Sequence, residues 1–244
     1  MEIRISKDRY ELGKSAAVFT AHLINRAIEE KGSARIVLST GASQFDTLAS
    51  LIEQEVDWSK VEMFHLDEYV NLPESHPASF RKYLKEKFTT KVNLKAAYFV
   101  DGTEENIKYL SEEISKSPID VGLIGIGENA HIAFNDPPAD FETENPYIVV
   151  NLNDTCKKQQ VGEGWFETVD DVPKQAVSMS VKQIMKCENI VSCVPYMVKA
   201  EAVLATLNTE LTNTVPATML KTHPNFTLYI DTESASLLSL PVKW

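Results

Sequence analysis

The sequence predicts a single α/β domain over residues 1–244, a mainly parallel sheet with helices on both faces in a three-layer, Rossmann-like arrangement. Three observations carry this. Short apolar runs alternate with longer amphipathic stretches, the pattern of repeated βαβ units. No Gly/Ser/Pro-rich linker, charge block or repeat period divides the chain. The composition, 43% apolar and 24% charged, is that of a globular protein rather than a disordered one.

Taken in order, Ala16, Ala17, Phe19, Leu23, Ile24 and Ala27 fall at helical spacing over 16–30, which ends in Glu29-Glu30-Lys31-Gly32. Residues 35–38 form a buried strand broken at Gly41. Leu48, Leu51 and Ile52 mark a helix over 43–55. A second strand covers 61–66, residues 79–88 read as helix, and a charged helix over 104–116 precedes a strand at 121–126. Further strands are expected at 148–150, 177–179, 190–194 and 226–230. Helices are expected at 197–208 and at 216–221, where Pro216 occupies the first turn. The segment 136–175 is the least regular, with Pro137-Pro138, Gly162, Gly164 and Pro173, and is expected to be a loop or lid near the site.

Charge and cysteine content narrow the function classes. Lys and Arg total 24 against 35 Asp and Glu, a net charge of −11. That balance argues against nucleic acid or an anionic membrane surface as partner and leaves room for a small anion in a local cationic pocket. Cys156, Cys187 and Cys193 are the three cysteines. They suit a reducing compartment and are expected to pack as small hydrophobes. The opening Met1-Glu2-Ile3-Arg4 shows no apolar leader, and no apolar run long enough to span a membrane follows, so a cytoplasmic location is expected.

Three polar clusters follow three of the expected strands, the edge where parallel α/β sheets bind ligands. Ser39-Thr40-Gly41-Ala42-Ser43 opens a helix and reads either as an ordinary cap or as a phosphate cradle. It is not a Walker loop, because no Gly-Lys-Ser/Thr follows. Asp67-Glu68-Tyr69 reads equally as a turn-capping pair or as a desolvated general base. His65 and Asp67 alternate with Leu66, but no third ligand has metal-site spacing, so a metal is set aside. Gly125-Ile126-Gly127-Glu128-Asn129-Ala130 imitates a dinucleotide fingerprint, yet Asn135-Asp136-Pro137-Pro138 leaves no room for the crossover helix that a nucleotide would need. His131 remains, set in the apolar run Ile132-Ala133-Phe134. It reads as a core histidine or, bracketed by Asn129 and Asp136, as an oriented imidazole.

These residues resemble the glucosamine-6-phosphate deaminase (isomerase) family, which shares its fold with 6-phosphogluconolactonases. The matching segments are Ser39-Thr40-Gly41-Ala42-Ser43, Phe64-His65-Leu66-Asp67-Glu68-Tyr69-Val70 and Gly125 through Pro137. Weaker matches follow at Val172-Pro173-Lys174 and Lys199-Ala200. The lactonases typically run His-Thr-Ala-Ser-Leu-Phe-Pro after the glycine loop; Ile132-Ala133-Phe134-Asn135 favours the deaminase branch. The resemblance implies conversion of glucosamine 6-phosphate and water to fructose 6-phosphate and ammonia without a cofactor. It implies that Thr40, Gly41, Ser43 and Lys199 hold the phosphate. Asp67 would move a proton between carbons 2 and 1, and His131, with Asn129 and Asp136 as partners, would assist ring opening.

Three departures stand out. Asn129 replaces an Asp found in many members and accepts a hydrogen bond without the charge of a carboxylate. Asp136 replaces a usual Glu and reaches about 1.5 Å less far. The stretch Lys157-Lys158-Gln159-Gln160 through Trp165 does not align with the region where many members carry a phosphate-binding Arg. The alternatives weighed beside the lead reading are the same chemistry on galactosamine 6-phosphate, a lactonase-type hydrolase, and a silent sugar-phosphate-binding protein. A homo-oligomer is compatible with the sequence and not required by it, and allosteric activation by an acetylated amino sugar phosphate is not expected.

Overall fold

The computed structural model describes residues 1–162 and 164–239, so Glu163, inside the irregular segment noted above, lies outside the described residues. Strands and helices are numbered in chain order. The main sheet contains β1 (Glu2–Ser6), β2 (Ala34–Leu38), β3 (Val61–His65), β5 (Ala96–Tyr98), β6 (Val121–Leu123), β9 (Asn189–Val194) and β10 (Phe226–Asp231). Its order is β1-β10-β9-β6-β2-β3-β5, and every neighbouring pair is parallel. The three central strands, β9, β6 and β2, are buried on both faces because helices cover both.

The helices are α1 (Arg9–Lys31), α2 (Phe45–Leu51), α3 (Phe80–Leu84), α4 (Glu104–Ile114), α5 (Asp154–Gly162), α6 (Val181–Ile184) and α7 (Ala200–Asn208). Strand alternation sorts the core into two layers. Ile36 and Leu38 of β2 join Leu12, Ala16 and Ile24 of α1 and Leu48 of α2 on one side. Val37 points the other way, into a cluster with Leu110 and Ile114 of α4 and Val203 of α7. Helix α1 begins seven residues before the expected 16 because Asp8 caps it, accepting from Glu11 N–H at 2.9 Å. Gly13 lets that first turn lie against α2: a Cβ there would stand 2.7 Å from the Asp46 carbonyl carbon.

The expected strands at 148–150 and 177–179 exist but belong to a separate antiparallel sheet. It comprises β4 (Asp67–Tyr69), β7 (Tyr147–Asn151) and β8 (Gln175–Met179), in the order β4-β8-β7. Beyond buried Tyr147, strand β7 alternates half-buried and exposed residues, which suits a sheet wetted on one face rather than the doubly covered parallel sheet. The chain passes directly from β3 to β4 through Leu66, whose N–H donates to Leu38 O at 3.3 Å while its carbonyl accepts from Met179 N–H at 2.9 Å. One residue thus joins the two sheets and delivers Asp67 to the carboxyl edge of the main one. An aromatic cluster of Tyr69, Phe80, Phe134 and Phe166 fills the space beneath the small sheet.

Strand order reverses between β2 and β6. From β2 the chain runs outward through β3 to β5; from β6 it runs the opposite way through β9 and β10. Loops leaving these two adjacent strands must part, and the crevice between them is where this fold holds ligands.

Candidate active site

A cavity of about 170 Å³ occupies that crevice, lined among others by Thr40, Gly41, Ser43, Asp67, His131 and Lys199. The structure therefore brings six of the eight sequence-predicted residues to one cavity. The other two, Asn129 and Asp136, stand behind His131 and touch its ring.

The loop after β2 turns at Gly41, whose φ of 97° favours glycine over any side-chain-bearing residue. A 3₁₀ turn (Ala42–Gln44) and the seven-residue α2 follow, in place of a continuous helix over 43–55. Gln44 is buried and donates its Nε2–H to Cys193 O at 3.2 Å, which fixes the loop against β9. Ser39 presents a buried hydroxyl, without a hydrogen-bond partner, at the cavity wall. Lys199 enters from the far side, where a 3₁₀ turn (Met197–Lys199) leads into α7. Its approach is set by Tyr196, held at φ 81°, a conformation that typically costs about 1–3 kcal/mol and needs external support. That support is visible. The Tyr196 N–H donates to Asp231 Oδ2 at 3.1 Å, and its hydroxyl accepts from Arg9 Nη1 at 3.0 Å.

Asp67 and Glu68 divide two tasks. Glu68 is fully buried and accepts from Ser79 Oγ at 2.9 Å, from the N–H groups of Phe80 and Arg81 at 3.2 and 2.9 Å, and from Arg81 Nε at 3.3 Å. Those donors are the start of α3, so Glu68 anchors that helix. Asp67 faces the cavity instead. Burial pushes its carboxyl up to about 8, and the neighbouring Glu68 charge adds to the rise. His65, one strand position before Leu66, is a core residue. Its Nδ1 accepts from Val100 N–H at 3.4 Å, and burial drives it down to about 3, so the ring stays neutral. Among the described residues no three His, Cys, Asp or Glu side chains gather as a metal site.

The loop after β6 is a tight turn: Gly127 N–H donates to His131 O at 2.9 Å, and Ala130 N–H to Gly127 O at 3.0 Å. Ala130 and Ala133, with φ of 63° and 51°, bracket His131. The imidazole lies directly on Gly127, where a Cβ would approach ring atoms to within 2.1–2.3 Å. Asn135 locks the loop to β8 by donating its Nδ2–H groups to Ile132 O, Ser178 Oγ and Met179 O at 2.8–3.2 Å.

Asn129 Oδ1 lies 2.6 Å from His131 Nδ1 and also accepts the His131 backbone N–H at 3.2 Å, while Asn129 Nδ2 donates to Asp136 Oδ1 at 3.0 Å. The His131 backbone N–H requires an acceptor and the Asp136 carboxylate a donor, which fixes the amide orientation. Nδ1, which faces the Asn129 oxygen, therefore carries a proton. The carboxylate of Asp136 is itself 3.3 Å from Nδ1. Burial raises the Asp136 pKa, but contacts with His131, Asn129 and the Cys156 thiol outweigh it and hold the carboxyl below its usual range. A negative charge is thus kept against the imidazole although position 129 is not a carboxylate.

Sequence reasoning missed α5 and what it carries. Gln159, Gln160 and Trp165 line the cavity, whereas Lys157 and Lys158 do not. The buried face of α5 is Cys156 and Gln160, a pair spaced i, i+4 without the apolar stripe that marks a helix in sequence.

Residues 7–229 match the family model described as glucosamine-6-phosphate isomerases/6-phosphogluconolactonase. A glucosamine-6-phosphate deaminase of Staphylococcus epidermidis is 37% identical over 233 residues, covering 90% of this chain and 94% of that protein. One of Oenococcus oeni is 31% identical over 243 residues, covering 98% and 99%. A structure described as a monomeric glucosamine-6-phosphate deaminase superposes with a TM-score of 0.87 at 28% identity, covering 97% of this chain and all of that one. A 6-phosphogluconolactonase of Thermotoga maritima shares the fold, with a TM-score of 0.76 at 16% identity over 94% and 99% of the two chains.

The raised pKa of Asp67 has a stability consequence of definite sign. Between about pH 4 and pH 8 the folded protein keeps a proton that an unfolded Asp has released, so stability falls as pH rises through that window. Asp67→Asn removes the burden. Thermal melts at pH 5 and pH 8 should show the variant gaining on the parent protein at the higher pH, with a smaller difference at the lower.

Proposed function

The chain belongs to the glucosamine-6-phosphate isomerase/6-phosphogluconolactonase family, and from that premise we propose that it isomerises and deaminates glucosamine 6-phosphate, giving fructose 6-phosphate and ammonia. The observation that carries the reading is the convergence on one cavity of a desolvated carboxylate, an oriented imidazole and a loop-plus-lysine anchor.

In this account Thr40, Gly41, Ser43 and Lys199 receive the phosphate ester, an anchor remote from the reacting carbons that supplies positioning. His131 Nε2 takes the anomeric hydroxyl proton and returns it to the ring oxygen, which opens the pyranose to an aldehyde. The imidazolium formed in passing is stabilised by Asp136, directly and through the Asn129 amide. Asp67 then removes the proton on carbon 2, the electron pair moves toward carbon 1, and the aldehyde oxygen takes a proton from the carbon 2 ammonium to give an enolamine. Return of the proton to carbon 1 leaves an iminium at carbon 2. Water adds there, ammonia leaves, and the ketose remains. A carboxyl with its pKa near 8 is a stronger base than an exposed aspartate, as abstraction of a carbon-bound proton requires. Closing the site to water raises its basicity and places it at the edge of ionisation at neutral pH.

The test is ammonium release from glucosamine 6-phosphate, run beside galactosamine 6-phosphate, with a coupled read-out of the ketose. Asp67→Asn should lower kcat by about 10²–10⁴-fold, the range of general-base catalysis, while the substrate still binds. In the parent protein kcat/KM should rise with pH toward a midpoint near 8. Unchanged turnover in the variant removes Asp67 from the mechanism. Lys199→Ala should raise KM with a smaller change in kcat, and equal turnover of unphosphorylated glucosamine would refute the anchor.

A further inference from the structure

Gln160 is 5% exposed and lies at the cavity wall, on a helix whose sequence gave no sign of it. Its Oε1 accepts the Tyr69 hydroxyl proton at 2.6 Å, in a contact buried from solvent. Tyr69 is two residues beyond Asp67 on β4, so the two side chains leave the same face of the strand about 7 Å apart. The tyrosine ring is gripped by Phe80, Phe134 and Phe166, with centroids 5.1–5.5 Å away, and is fully buried. Phe134 follows His131 by three residues and lines the cavity as well. Gln160 therefore shares the cavity with Asp67 and His131, tied by Tyr69 to the strand that carries Asp67. The phosphate anchor comes from different loops, after β2 and β9.

With Oε1 committed to Tyr69, the amide has its Nε2–H groups to offer. We propose that Gln160 is a substrate-selecting residue of this site: its amide, positioned by Tyr69, donates to a hydroxyl on the carbon 3–carbon 4 stretch of the sugar phosphate. This rests on the deaminase reading above. A site that presents a buried donor to a hydroxyl discriminates strongly against a substrate lacking it, because the donor is then left unpaired. The interaction gives the enzyme a means of reading the sugar, which a phosphate anchor and a carbon 2 base do not supply. Tyr69 is a positioning residue in this scheme, acting on substrate only through the amide.

The test uses Gln160→Glu, which keeps an acceptor for Tyr69 and removes the donor, Gln160→Ala, and Tyr69→Phe. Dissociation constants for glucosamine 6-phosphate are measured in the Asp67→Asn background, where binding is read without turnover, and inorganic phosphate is titrated as a competitor. The proposal expects sugar-phosphate binding to weaken about 10-fold or more in both Gln160 variants, with the affinity for inorganic phosphate changed less than twofold. Tyr69→Phe should give a smaller loss of the same kind. The loss should shrink when 3-deoxy or 4-deoxy glucosamine 6-phosphate is the ligand, since the deleted hydroxyl has nothing further to lose. Parallel weakening of inorganic phosphate would assign Gln160 to the anchor and overturn the proposal. Unchanged binding in both Gln160 variants that melt like the parent would overturn it too. These are binding measurements, so they stand even if no ammonium is released from either amino sugar, which would refute the deaminase reading instead.

Discussion

The Ser39 N–H donates to Leu123 O at 3.0 Å, and that bond closes the pairing of β2 with β6 just where the two chains part. Everything at the site descends from it. From β2 the chain steps outward to β3 and β5, and from β6 it steps the opposite way to β9 and β10, so the loops after β2 and β6 part. The Thr40–Ser43 turn and the Gly125–His131 turn face each other across it. Leu66, bonded to Leu38 and Met179, brings Asp67 to the same edge, and β9, next to β6, contributes Lys199. Four segments remote in sequence meet because one pair of parallel strands is fixed in register.

The site also shows how buried charge is managed in two ways. Glu68 is surrounded by donors from α3 and Arg81, which is what a fully buried carboxylate requires. Asp67, its neighbour, lacks such a set and responds by holding its proton to higher pH. The same physical environment therefore makes one carboxyl structural and the other basic, according to the face of β4 from which each departs. At His131 the arrangement differs again. Position 129 is uncharged, and the carboxylate against the ring is Asp136, 3.3 Å from Nδ1, with the Asn129 amide bridging the two. The absence of a side chain at Gly127 leaves the space that the ring occupies.

Much of this was legible in the residues. The strands 35–38, 190–194 and 226–230 are apolar on both faces and betray the covered parallel sheet. The polar clusters follow their strands directly, so the carboxyl edge could be located before any coordinates. What stayed hidden has physical reasons. Strand β1 is an edge strand whose Arg4 lies over the rings of Phe19 and Tyr229, so its charge masked a real strand. Strands β4, β7 and β8 are short or one-faced, and only pairing shows that they form their own sheet. Helix α5 buries a cysteine and a glutamine rather than leucines, and the value of Gln160 depends on Tyr69, 91 positions away in the chain. The split between Asp67 and Glu68 was equally unreadable, because both orientations satisfy the sequence and only the packing of α3 decides.

The central claim is that a carboxylate on the cavity wall transfers the carbon 2 proton. Glucosamine 6-phosphate carrying deuterium at carbon 2 addresses it most directly, with the rate compared to the unlabelled compound and the ketose product analysed for label. The account predicts a primary isotope effect on kcat/KM and detectable deuterium at carbon 1 of fructose 6-phosphate, carried there by Asp67. Ammonium release with no isotope effect and no label at carbon 1 would show that this proton is not moved by a single base and would contradict the mechanism.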